Sequence, residues 1–149
     1  MIDREQVFIL KTPLGLMNKI ILLVYSNKYL FPVKLFLMFF LHIELPKLCK
    51  QKNIRLPHAY NIIINPRSHI GENVTICHNV TIGSKQFGNK VGVPTIGDDV
   101  IIYPNSVLIG AIKIGAGSIV GAGSIVVDDV PENSIVHGNP AKVVSFVFD

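Results

Sequence analysis

Aliphatic residues recur at every sixth position along most of the chain: Ile64, Ile70, Ile76 and Ile82, then Ile96, Ile102, Leu108, Ile114, Val120 and Val126. Four residues after most of them stands a second small or β-branched residue, at Val74, Val80, Val100, Ser106, Ile112, Ser118, Ser124 and Val130. Glycine often follows the aliphatic position, as at Gly71, Gly83, Gly97, Gly115 and Gly121. A fixed period implies stacked repeats and takes precedence over helix or strand assignment by propensity. In a strand the side chains alternate, so the aliphatic residue and the one two places before it point inward. The turn that follows needs small or left-handed-tolerant residues, which the Gly, Asn and Asp there supply. Three hexads make one triangular coil of 18 residues, and coils stack by parallel strand pairing. Between these strands there is no room for the helical crossovers that parallel sheets normally need. The pattern predicts a mainly β chain, a parallel β-helix over residues 46–149.

Residues 1–45 follow a different rule and read as short helices. Thr12-Pro13 is an N-cap followed by proline at the first helical position, which predicts a helix to about Ser26. Pro32 opens a second helix to about Ile43, with an apolar face of Leu35, Phe36, Phe39, Phe40 and Ile43. Core or subunit packing is the expected use of that face; peripheral membrane contact is the alternative. Two apolar stretches, Ile20–Tyr25 and Leu35–Ile43, are too short to span a bilayer, which takes roughly 18 residues. Glu44 to Leu56 is polar and basic and forms the junction.

A solenoid offers few places for chemistry, so breaks in its period are informative. From Leu56 to Ile64 the step is eight, and from Ile82 to Ile96 it is fourteen, which puts an eight-residue insertion in a loop over residues 84–94. After Val126 the segment 128–133 closes the array before Val136. His58 lies two places after Leu56 and His78 two places after Ile76. The two imidazoles therefore share one vertical edge, one rung apart at about 4.8 Å. Pro104 and Ala122 continue that edge, about 14 Å from His58 in all. The loop leaves the next vertex and is expected to overhang this edge. His42 reads as a packing residue and His69 as a surface one, while His137 has no evident partner.

Charge and cysteine usage narrow the setting. Residues 1–55 hold nine Lys/Arg against three Asp/Glu, and residues 56–149 hold five against seven, giving balances of +6 and −2. The basic part is either a solvated face or a surface for an anionic partner. There is no basic stripe interleaved with aromatics, so no nucleic-acid partner is expected. Cys49 and Cys77 are the two cysteines, and Asp3 and Glu5 stand where a secretory leader would be positive. The expectation is a reduced, cytoplasmic protein, with a peripheral place at the inner face of the membrane as the alternative.

The stretch "LPHAYNIIINPRSHIGENVTICHNVTIGS", followed by "PTIGDDV", "KIGAGSIVGAGSIVVDDVP" and "HGNPAK", resembles the serine acetyltransferase family of hexapeptide-repeat acyltransferases, and most of all its polysaccharide and capsule O-acetyltransferase branch. The resemblance covers roughly residues 44–145. It implies a left-handed β-helix, a hand that the period alone does not give, and acetyl-CoA as co-substrate with no metal. His58 falls on the family's catalytic histidine, a general base for a hydroxyl too weakly acidic to attack unaided. Glu44, offset by one residue, is the candidate orienting carboxylate. His78 is a stacking neighbour or a substrate contact. For coenzyme A the resemblance points to Pro104 and Ala122, with Gly83 and Ser84 near the thioester and Lys142 toward a phosphate. Backbone N–H groups near Gly83 or in the loop are candidate oxyanion donors.

The sequence also departs from the family. Serine acetyltransferases carry an Asp before the catalytic His and an Arg-His pair at the end of the loop. Pro57 and Gly92-Val93 stand there instead. On that ground the expected acceptor is a neutral sugar hydroxyl of a glycan or a lipid-linked precursor. Serine O-acetylation, nucleotide-sugar N-acetylation and a non-catalytic scaffold are the alternatives. A zinc enzyme resembling the γ-type carbonic anhydrases needs three converging histidines, and only His58 and His78 share an edge. The resemblance implies a homotrimer with active sites between subunits.

Overall fold

A computed structural model describes Tyr29, Pro32, Val33, Phe36, the backbone of Ile43–Glu44, and residues 53–148. The helix expected over 12–26 and most of that expected over 32–43 lie outside the described residues, as do His42 and Cys49. Pro32, Val33 and Phe36 are helical. No helix among the described residues is long and apolar enough to cross a membrane.

Among the described residues, thirteen short strands wind around three faces. Sheet A holds β1 (Ile43–Glu44), β2 (Ile62–Ile64), β5 (Thr81–Gly83), β8 (Val107–Ile109) and β11 (Ile125–Val126), stacked in that order. Sheet B holds β4 (Thr75–Ile76), β7 (Ile101–Ile102), β10 (Ile119–Val120), β12 (Ser134–Gly138) and β13 (Ala141–Phe146). Sheet C holds β3 (His69–Ile70), β6 (Thr95–Ile96) and β9 (Lys113–Ile114). Pairing is parallel and in register from coil to coil, as in Ile76↔Ile102↔Val120 and Ile64↔Ile82↔Leu108. The exception is β13, which runs antiparallel beneath β12 and closes the stack.

The core follows the hexad pattern. All ten aliphatic positions of the frame are buried, and so are the residues two places before them, Ile62, Ser68, Val74, Val80, Pro94, Val100, Ser106, Ile112, Ser118 and Ser124. Inward serines are tolerable where their hydroxyls find carbonyls. Ser106 Oγ donates to Tyr103 O at 2.8 Å and Ser118 Oγ to Pro131 O at 2.7 Å. Truncating a filled inner position such as Leu108 to alanine would cost about 2–5 kcal/mol.

Two expectations change. Ile43 is not the end of a helix: Ile43 and Glu44 form β1, which pairs in parallel with Ile62 and Ile63. The first rung of sheet A therefore stands at the start of the polar junction. The segment after Val126 does not end the array either, because Val130 still bridges to Ile114 and β12 still pairs with β10.

Candidate active site

Each coil turns three corners. At the corner from sheet B to sheet A the residues are 57–61, 77–79, 103–105 and 121–123, here called the histidine vertex. Asn61, Asn79 and Asn105 adopt left-handed backbone there, with φ of 49, 56 and 62°, a conformation that asparagine tolerates better than most residues. Their side chains form a ladder: Asn61 Nδ2 donates to Asn79 Oδ1 at 3.0 Å, and Asn79 Nδ2 to Asn105 Oδ1 at 3.0 Å. By residue type these asparagines are turn formers; their recurrence at one place in the coil is the signal for the ladder.

The uppermost corner carries two extra residues. Arg55 bridges to Thr75, so Leu56 stands over Ile76 and His58 over His78. The insertion folds tightly, with the Tyr60 N–H donating to His58 O at 2.9 Å. Pro57 is buried beneath it and the His58 side chain is exposed. His78 is half-buried, and the two rings meet edge to face with centroids 5.9 Å apart. Pro104, half-buried, and Ala122, exposed, follow below on the same vertex, where the Asn105 N–H donates to His78 O and the Gly123 N–H to Pro104 O. Cys77, next to His78, is buried, and that burial pushes its thiol pKa up. A thiol kept protonated is a poor nucleophile.

The loop over 84–94 leaves the corner from sheet A to sheet C, the loop vertex, and stays there. Lys85 and Gly92 exchange backbone hydrogen bonds, and the Ala111 N–H donates to Lys90 O at 2.8 Å. Gly110 makes this approach possible: its φ is +100°, and a Cβ there would lie 2.8 Å from Lys90 O. Lys90 Nζ reaches Asp129 Oδ1 at 3.1 Å. A hydrogen bond from the Lys113 N–H, and then the Lys90 ammonium, hold the Asp129 carboxyl below the usual carboxylate range. Phe87 and Val91 face outward from the loop. The expected overhang above the histidines is therefore absent within one chain, because these contacts draw the loop down its own vertex. Gly83 and Ser84 stand at the far end of β5 from His78, so one chain does not bring them or the loop amides to the histidines. Glu44 lies one rung above Ile63 in sheet A. Lys142, in β13, is exposed and 3.7 Å from Asp128. No three His, Cys, Asp or Glu side chains gather as a metal site would among the described residues.

Residues 94–128 match the family model described as bacterial transferase hexapeptide (six repeats). Serine acetyltransferase from Bacillus subtilis is 36% identical over 127 residues, covering 81% of this chain and 58% of that protein. Serine acetyltransferase 4 from Arabidopsis thaliana is 44% identical over 98 residues, covering 64% of this chain and 27% of that protein. Among solved structures, the serine acetyltransferase of Neisseria gonorrhoeae superposes with a TM-score of 0.59 at 38% identity, over 64% of this chain and 37% of that one. The Brucella abortus enzyme in complex with coenzyme A gives a TM-score of 0.59 at 31% identity, over 62% and 37%. This chain shares the hexapeptide-repeat β-helix of the serine acetyltransferase family.

Its fold is accordingly the left-handed parallel β-helix of that family, as expected. The chain spans about a quarter to three-fifths of the length of the relatives named above. The capsule and polysaccharide branch is not supported, and the sugar acceptor is overturned. The matched proteins are serine acetyltransferases in plants, in Bacillus and in Mycobacterium tuberculosis alike. That Pro57 and Gly92-Val93 stand where the family carries an Asp and an Arg-His pair does not therefore decide the acceptor. With the histidines and the loop on different vertices, those positions do not by themselves define an acceptor site.

Proposed function

We propose that this chain is an acetyl-CoA-dependent serine O-acetyltransferase with His58 as its general base. The observation that carries the reading is the exposed His58, raised on a two-residue insertion at the head of the histidine vertex, in a chain matched to serine acetyltransferases. Small residues continue the vertex below it, so an extended pantetheine arm can lie along Pro104 and Ala122 with its thioester beside the histidines. His58 takes the proton of the serine hydroxyl as the oxygen attacks the thioester carbon. The tetrahedral intermediate then expels the coenzyme A thiolate, which recovers the proton from the imidazolium. No covalent enzyme intermediate is needed.

Two further roles belong to this reading. Glu44, whose backbone lies one rung above Ile63, orients His58, and Lys142 meets a coenzyme A phosphate. The active sites form between copies in a homotrimer. Sheet A supports that assembly: Ile63, Thr81, Val107 and Ile125 occupy equivalent places on its successive rungs, none is fully buried, and the sheet separates the histidine vertex from the loop vertex. A second copy on that face can bring its loop to the first copy's histidines.

The test is incubation with acetyl-CoA and L-serine, following thiol release and the mass of the product. O-acetylserine formed in step with thiol is the expected result. Thiol release that matches hydrolysis alone, with no acetylated serine, sinks the acceptor assignment.

A further inference from the structure

We propose that His78 is a fixed N–H donor, whose Nε2–H stabilises the oxyanion formed at the thioester while His58 handles the proton. This rests on the acetyltransferase reading and adds a division of labour between the two histidines.

The two rings differ in surroundings although they are neighbours. His58 is exposed, and His78 is half-buried one rung below it with ring centroids 5.9 Å apart. His78 Nδ1 is completely enclosed and has no hydrogen-bond partner, whereas Nε2 is not enclosed in this way. A neutral imidazole carries one N–H and one lone pair. A hydrogen on the enclosed Nδ1 would be a buried donor with nothing to accept it, and orphaned buried N–H groups are rarer than under-satisfied acceptors. The hydrogen therefore sits on Nε2, the open side of the ring. Such a ring has no lone pair to offer the serine hydroxyl, so it is a donor and not a second base.

The donor is also held in place. Asn79, the next residue, is in left-handed conformation, and its amide is bonded to Asn61 above and Asn105 below. His78 O accepts from the Asn105 N–H. A donor fixed before charge develops stabilises an oxyanion without reorganising. The N–H groups of Lys85, Gly92 and Ala111 are bonded within the loop vertex.

The substitutions that test this separate donor from ring. Gln places an amide N–H near the position of Nε2, and Leu fills similar space with no donor. For His78→Leu we expect kcat to fall about 10²- to 10³-fold, with KM for acetyl-CoA changed less than about twofold. His78→Gln should stay within roughly tenfold of the parent, and both should keep the parent's far-ultraviolet circular dichroism. Unchanged kcat in His78→Leu, or a loss in His78→Gln as deep as in His78→Leu, overturns the proposal. Nitrogen-15 chemical shifts of the unsubstituted protein give a readout independent of turnover and of whether His78→Leu folds. Hydrogen on Nε2 is expected, and hydrogen on Nδ1 in a chain that acetylates serine overturns the donor role alone. A chain with the hydrogen on Nε2 but no transfer to serine overturns the acetyltransferase reading and the donor role with it.

Discussion

Two corners of the same prism have opposite characters. At the corner from sheet C to sheet B, Gly71, Gly97 and Gly115 stack so closely that a Cβ would come within 2.4–2.7 Å of the next coil. At the histidine vertex the place of those glycines is taken by Cys77, Tyr103 and Gly121, followed by His78, Pro104 and Ala122, and a Cβ on Gly123 would meet nothing within 4 Å. The first corner is closed by backbone at each of these glycines, and the second is looser, since a Cβ on Gly121 would lie no nearer than 3.0 Å to the coil below. Both obey the same hexad rule, so periodicity alone does not separate scaffold from site. Occupancy of the turn does.

The largest effect that can test this contrast is on chemistry. Replacing the exposed His58 with alanine should lower kcat about 10²- to 10⁴-fold, the usual contribution of a positioned general base. The fold should be unaffected, because no buried contact is lost. Kinetics and thermal unfolding of the same preparation decide the matter. A variant that turns over like the parent removes His58 from the reaction, and one that unfolds makes the histidine vertex structural after all.

Next comes the packing itself. In Gly115→Ala the new Cβ would lie 2.4 Å from Glu132 N and 2.6 Å from Glu132 Cα. Backbone atoms cannot step aside cheaply, so a loss of about 1–3 kcal/mol is expected from overpacking. Gly123→Ala on the histidine vertex meets no atoms, but its φ of +70° still costs an L-residue about 1–2 kcal/mol. Denaturant unfolding of the two variants separates crowding from backbone strain. Relaxing the coil below by Glu132→Gly should not rescue Gly115→Ala, since the clash is with main chain. Equal losses in a Gly123→Ala and a Gly123→Asn variant would argue against strain there, because asparagine tolerates this conformation better.

Much of this was legible in the sequence, for a physical reason. Inward positions of a stacked coil recur at fixed spacing, so Ile64 to Val126 announced both the core and its frame. The pairing of His58 with His78 followed from the same arithmetic, since a two-residue insertion shifts one rung without breaking the stack. The position of the loop was not legible. It depends on Lys90 meeting Asp129, thirty-nine positions on, and on the left-handed Gly110 beneath it, and no period records either. β1 was hidden for another reason: Ile43 fitted the apolar face of a helix, and a two-residue strand is too short to declare its own alternation. The acceptor was not legible either, because Pro57 lies on the histidine vertex and Gly92-Val93 on the loop vertex, and residue types at separated places do not define one site.

The smallest expected effect concerns that loop, a third corner that is neither closed by glycine nor loose. Its hold on the prism includes the ion pair from Lys90 to Asp129, with those side chains 33% and 59% exposed. Exposed pairs are worth under about 1 kcal/mol, and less as salt screens them. Asp129→Asn should therefore leave global unfolding nearly unchanged and speed amide exchange only at the bonds the loop makes, the N–H groups of Lys85, Gly92 and Ala111. The pH dependence has a definite sign. Because the Asp129 carboxyl is held below its ordinary value, its contribution is complete above the unfolded value of about 3.9. It is lost only as pH falls below that, through the lowered value. Exchange at these amides, corrected for intrinsic rate, should be flat from about pH 5 upward and rise below about pH 4 in the parent but not in Asp129→Asn. A transition between pH 6 and 8, or identical profiles in the two proteins, would show that backbone bonds and Gly110 alone keep the loop on its corner.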